Sequence, residues 1–198
     1  MEANVKQLAE KICQADAIVI GAGSGLSSAA GYDHYHHNEW FEGKFAEYRE
    51  AYGFNNLFEG FYHVYNTFEE EWGFVSRYIQ LMYDTPPGQT YLDLYEIVKK
   101  KPYFILSSNV DFQCSKVFPE ECICSFQGDF RYFQCSQPCH DQVYDNHNLI
   151  DAMTELRDGL KVLPEHIKDR ALSIAADIGD ALQEIRQWKE SMYGQGNK

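Results

Sequence analysis

Apolar positions Val5, Leu8, Ala9 and Ile12 recur at helical spacing, whereas the next apolar segment, Ala17 to Ile20, is continuous and largely β-branched. The change of period predicts a helix followed by a buried strand. That strand runs straight into small residues, so a glycine turn and a second helix are expected next. Further on, Tyr91 to Lys101 has helical periodicity and Tyr103 to Leu106 reads as a second buried strand. Helices alternating with buried strands predict an α/β fold with a parallel sheet. The rhythm is interrupted by residues 35 to 83, which hold 16 of the 30 aromatic residues and therefore need a core of their own. We read about 34–88 as a mostly helical, aromatic-rich insertion, closed by the break Asp84-Thr85-Pro86-Pro87-Gly88. Most of its aromatics pack a small subdomain, and some are available to line a cleft. Near the end, Pro164 suits a first helical position, Asp177 a cap, and Ile178, Ala181, Leu182 and Ile185 one apolar stripe, with Gly194 to Lys198 as a frayed end.

The glycine turn is the first piece of candidate chemistry. Gly21, Ala22, Gly23 and Gly25 let the backbone bend tightly and bring N–H groups close to an anion, and Ser24 and Ser27 are candidate caps for the following helix. A nucleotide diphosphate is the natural ligand. Gly21-Ala22-Gly23 lacks the third glycine of the dinucleotide fingerprint, and such turns also simply join a strand to a helix. A second polar group, Ser107, Ser108, Asn109 and Asp111, sits at the carboxyl end of the second strand, where open α/β sheets place ligands.

Composition narrows the partners. The 198 residues are enough for one domain, and 44% hydrophobic residues for a sizeable core. With 17 basic against 30 acidic residues the net charge is −13, which excludes nucleic acid and anionic membrane as main partners. No signal-peptide pattern or membrane-length apolar run is present, so a cytoplasmic protein is expected, and its six cysteines read as thiols or metal ligands rather than disulfides.

Three separated blocks resemble the sirtuin family. They are Gly-Ala-Gly-Ser-Gly-Leu-Ser at 21–27, Ser-Ser-Asn-Val-Asp at 107–111 and Phe-Gln-Gly-Asp at 126–129. Most sirtuins carry a catalytic His in the third block, where this chain has Gln127. That difference, with Gly31-Tyr32-Asp33 and the run Phe-Gln-Cys-Ser-Gln-Pro-Cys-His-Asp at 133–141, is most similar to the macrodomain-linked class M sirtuins.

The resemblance implies a Rossmann-type parallel sheet, NAD as cofactor, and ADP-ribosyl transfer to a protein acceptor such as a lipoylated carrier protein, in functional association with a macrodomain protein. It implies Asn109, Asp111 and Gln127 as catalytic residues. The NAD site would comprise Gly21, Ala22, Gly23, Ser24, Gly25, Leu26, Ser27, Ser107, Ser108, Asn109, Asp111 and Gln127, with Asp177 and Ile178 near adenine. A glutamine amide orients a ribose hydroxyl but takes no proton, which favours transfer over the alternative of NAD-dependent deacylation. Only about ten residues, 153 to 163, stand where the family has the second half of its nucleotide sheet, so the sheet is expected to be shortened and a catalytically impaired NAD-binding module is a third reading. Cys135 and Cys139 occupy the place of the family's first zinc pair, with Cys122, Cys124 and His140 as the only candidates to complete it; no resident metal is assigned. His34, His36 and His37 fall in a polar loop and are read as solvated.

Overall fold

The computed structural model describes residues 2–161 apart from Ser136 and Pro138. The chain divides after Thr154 into two units, and the fold described is that of the first. The expected terminal helix with Pro164, Asp177 and Ile178, and the frayed end, lie outside the described residues.

Helix α1 (Glu2–Gln14) leads into strand β1 (Ile18–Ala22), the short helix α2 (Ser24–Ala29) and then three helices, α3 (Glu39–Tyr52), α4 (Leu57–Phe61) and α5 (Phe68–Asp84). Helix α6 (Gln89–Val98) and strand β2 (Tyr103–Ser107) resume the α/β rhythm. Strand β3 (Ile123–Ser125), the strands β4 (Tyr132–Phe133) and β5 (Tyr144–Asp145), and helix α7 (His147–Lys161) follow.

The helices of the insertion begin where short polar side chains satisfy their free N–H groups. Asn38 accepts from the Phe41 amide at 2.9 Å, Asn56 from Glu59 at 2.8 Å and Thr67 from Glu70 at 3.2 Å. Glu59 and Glu70 reach back in turn to the amides of Asn55 and Asn66, a variant of the reciprocal capping box. Helix α3 stops at Gly53, whose φ of 83° is the left-handed conformation that glycine adopts without strain. The ends of the insertion are tied together: the Tyr32 hydroxyl donates to the Pro86 carbonyl, and Thr90 donates to Ala29 O at 2.9 Å. A Cβ at Gly88 would collide with the Ala30 backbone, so this junction requires glycine.

Strands β1, β2 and β3 form a parallel sheet in that order, with Ile20 opposite Ile105 and Ile105 opposite Ile123. The α/β class and the parallel sheet are those expected, with three strands in that sheet among the described residues, while β3 was not read from the sequence. Its three residues, Ile123, Cys124 and Ser125, are too few to show a period. A second correction concerns burial. Tyr103 to Leu106 and Ala17 to Ile20 read as continuously buried, yet the strands alternate: Ile105 is fully buried while Phe104 and Leu106 beside it are 39% and 43% exposed. The apolar stripe of α1 is likewise exposed at Val5 and Leu8. Among the described residues no helix is long and apolar enough to cross a membrane.

Candidate functional site

Two of the sequence blocks meet at the carboxyl ends of β1 and β2. The Ser108 amide donates to Ala22 O at 3.0 Å, and the Asn109 side-chain amide donates to Gly23 O and to Ser27 Oγ, each at 3.0 Å. Asn109 therefore clamps the glycine turn with its NH2 group, which leaves its carbonyl oxygen as the end available to a ligand.

Ser27 does something other than cap. The N-cap of α2 is Gly23 and no side chain caps it, which corrects the expectation for both Ser24 and Ser27. Ser27 lies inside the helix, 1% exposed, and its hydroxyl donates to Asp111 Oδ2 at 2.5 Å while lying 3.0 Å from the Tyr91 hydroxyl. A charge-assisted hydrogen bond of this kind holds the Asp111 carboxylate in one orientation. Gln113 adds its backbone amide to Asp111 Oδ1 at 3.3 Å. Between them Phe112 has φ 45°, a rare conformation for a bulky residue. Burial of its ring against Tyr83, centroids 4.8 Å apart, holds that turn in place.

A cavity of about 370 Å3 opens here. Of the residues expected at the site, Ser24, Ser27, Ser108, Asn109, Asp111 and Gln127 line it. Gly21, Ala22, Gly23, Gly25, Leu26 and Ser107 form the supporting turn and strand ends instead. Leu26 packs on the sheet's core, and Ser107, fully buried, accepts from the Asn109 amide at 3.1 Å. Asp177 and Ile178 lie outside the described residues. The third block is anchored by Asp129, whose carboxylate receives the Arg131 guanidinium at 2.7 Å, and turned by Gly128 at φ 97°, with Gln127 exposed at the cavity's edge.

The opposite wall comes from the insertion and includes Phe58, Phe61, Tyr62 and Tyr78. It also contains His34, which corrects the reading of the three histidines as solvated. His36 and His37 are exposed, beside Asp33 and Glu42, but His34 is 9% exposed. Its Nδ1 lies 3.0 Å from the Tyr78 hydroxyl and its Nε2 lies 3.8 Å from Asp111 Oδ2. No sequence signal separated it from its neighbours, because its burial is created by Tyr78, far along the chain. Burial, reinforced by the Asp111 charge, pushes the Tyr78 and Tyr91 phenols well above their ordinary range and keeps both protonated.

The donor set fits part of a dinucleotide. Among the described residues no lysine or arginine lines the cavity, so an anionic group there would rest on backbone N–H groups at the glycine turn, where a Cβ at Gly21 or Gly25 would meet nothing within 4 Å. The one fixed charge, Asp111, suits a centre that becomes positive. Hydroxyl and amide groups of Ser24, Ser108, Asn109 and Gln127 suit a ribose.

Elsewhere, Cys135, Cys139 and His140 lie in the β4–β5 loop with ligand atoms all within 4.8 Å of one another. Cys122 and Cys124 are not in that group, which among the described residues offers three of the four ligands of a closed tetrahedral zinc site.

No protein-family model matches the chain. It is 38% identical over 159 residues to a protein ADP-ribosyltransferase of Staphylococcus aureus, covering 77% of this chain and 50% of that protein. It is 28% identical over 153 residues to a probable bifunctional ADP-ribose hydrolase/ADP-ribosyltransferase of Fusarium oxysporum, covering 74% of this chain and 25% of that one. The chain thus spans half or less of the curated relatives it matches. Solved structures similar to it include a sirtuin from work on sirtuin substrate affinity, with TM-score 0.49, 15% identity and coverage of 74% of this chain and 55% of that one. Another is a Sir2 homologue mutant in complex with ADP-ribose, with TM-score 0.44, 13% identity and coverage of 70% and 52%. By sequence, this chain is similar to about half of a protein ADP-ribosyltransferase.

Proposed function

We propose that this chain is the NAD-binding and catalytic part of a protein ADP-ribosyltransferase of the class M sirtuin kind. The observation that carries the reading is Asp111, a carboxylate fixed by Ser27 in a cavity lined, among the described residues, by no lysine or arginine, with Gln127 at its edge. NAD, when bound, supplies a ribose carbon carrying nicotinamide as leaving group. The turn from Gly21 to Ser27 would hold the diphosphate with its amides. Asp111 would stabilise positive charge at the ribose, the Asn109 carbonyl would orient the carboxamide or a water, and Gln127 would orient a ribose hydroxyl. Gln127 accepts no proton, so removal of an acyl group by an activated ribose hydroxyl is disfavoured.

The acceptor is a protein, with a lipoylated carrier protein as the kind implied by the class. A partner that removes ADP-ribose is consistent with the second relative, whose name joins hydrolase and transferase, and fits association with a macrodomain protein. A second reading, a nucleotide-binding module of low turnover, is favoured by the sheet: only three parallel strands lie among the described residues.

Intact-mass measurement of a lipoylated carrier protein, together with nicotinamide release, separates the readings. Transfer adds the mass of ADP-ribose; deacylation lowers the mass; the binding module does neither. Gly23→Ala sharpens the test, since its Cβ would meet only Ser108 Oγ at 3.5 Å and the fold is retained. NAD affinity by calorimetry should fall at least tenfold in this variant, and unchanged affinity would remove the turn from the site.

A further inference from the structure

The proposed transfer leaves one chemical task without a residue. An acceptor nucleophile must lose a proton as it bonds to the ribose carbon, and Gln127 has no basic atom to receive it. Among the described residues, His34 Nε2 is a buried side-chain nitrogen with no hydrogen-bond partner. Leaving such a group unpaired is unfavourable, so it calls for a partner or a role. Nε2 lies 3.8 Å from Asp111 Oδ2, too long for a hydrogen bond, and both residues line the cavity. At the other side of the ring Nδ1 is 3.0 Å from the Tyr78 hydroxyl, and the ring faces Trp40 with centroids 5.8 Å apart. The imidazole is therefore held from two sides, with Nε2 directed toward Asp111 at the cavity wall.

We propose that His34 is the general base of the transfer, with Nδ1–H donating to the Tyr78 oxygen and the Nε2 lone pair receiving the acceptor's proton. This deepens the proposed function and rests on it. The balance is simple. The bond between the ribose carbon and nicotinamide breaks, and its electron pair leaves with nicotinamide. The acceptor atom forms the new bond to the same carbon, and its proton passes to Nε2. The resulting imidazolium sits beside the Asp111 carboxylate, which stabilises it until the proton leaves to solvent. The groups that face this ring are Asp111 beyond β2, Tyr78 of α5 and the uncharged Trp40 of α3. The arrangement gives His34 the acid–base part that the third block's histidine has in other sirtuins, from a different place in the chain.

The test uses the intact chain, NAD and a lipoylated carrier protein. His34→Gln keeps a polar group of similar reach and should lower transfer and nicotinamide release together by about 100-fold or more, while calorimetric NAD affinity stays within about twofold. His34→Ala should regain part of its activity when free imidazole is added. His36→Ala, an exposed neighbour, should match the parent. Equal transfer by His34→Gln and the parent would overturn the inference while leaving the proposed function intact. Failure of the parent to release nicotinamide or modify the carrier would instead sink the proposed function. An independent readout needs no activity: long-range proton–nitrogen NMR of the free protein should show His34 in its Nδ1–H form, and the Nε2–H form would overturn the assignment.

Discussion

The helical insertion and the parallel sheet bury their apolar residues in different ways. In the insertion Phe41, Phe45 and Phe74 are fully buried, and Phe74 alone lies within 5.5 Å, centroid to centroid, of Phe45, Tyr48 and Phe54. A Cβ at Gly60 would collide with the Phe74 ring, so α4 packs on that ring only because it carries no side chain there. The sheet is one-sided. Ile20, Ile105 and Ile123 share the packed face, whereas Val19, Phe104 and Leu106 share the other and are 69%, 39% and 43% exposed. Parallel sheets are ordinarily covered on both faces, so the sheet is the part with less packing per strand. The cavity lies where the two regions meet. Its floor is polar strand ends and its wall aromatic helices.

The largest effect should come from attacking the aromatic cluster of the insertion. Phe74→Ala removes a ring from the middle of the aromatic cluster and should destabilise the protein by about 3–5 kcal/mol, read as a lower urea midpoint at unchanged slope. A loss below about 1 kcal/mol would mean that the cluster does not carry the stability assigned to it.

An intermediate effect comes from pH, and it touches both regions. Burial lifts the Cys114 thiol, on the sheet side, from 9.0 to about 11, and the Tyr83 phenol of the insertion from 10.0 to about 12. In each case the unfolded chain loses its proton first. The stabilisation is therefore complete below the unfolded pKa and is lost as pH rises toward the folded one. Stability should be flat to about pH 9 and fall between about 9 and 12, with about 1–3 kcal/mol of the loss due to the buried thiol. Cys114→Ala, itself less stable at neutral pH, should show a shallower decline between about 9 and 11. An equally steep decline in the variant would assign the effect to the tyrosines alone.

The smallest effect should follow a change on the open face of the sheet. Val19→Thr keeps a β-branched side chain at a 69% exposed position and should alter stability by no more than about 0.5 kcal/mol. A loss comparable to that of Phe74→Ala would show that this face is covered in solution, and the contrast between the two regions would disappear.

The sequence by itself determined the alternation of helices and strands, the glycine turn, the helical character of the aromatic segment and the polar cluster from Ser107 to Asp111. Each is a local pattern: a period of apolar residues, a run of small residues or a break of prolines and glycine, read within about a dozen positions. Only the tertiary structure decided what those groups do to one another. Ser27 reads as a cap in the sequence, but its hydroxyl bonds Asp111, 84 positions away, and the Asn109 amide holds Gly23. Strand β3 is too short to signal itself and exists because β2 offers it an edge. His34 was indistinguishable from His36 and His37 in composition and spacing, and became a buried group beside a carboxylate because Tyr78 and Asp111 converge on it from distant segments. Burial and partner choice are properties of the packed chain, set by contacts whose separation in sequence exceeds any local period.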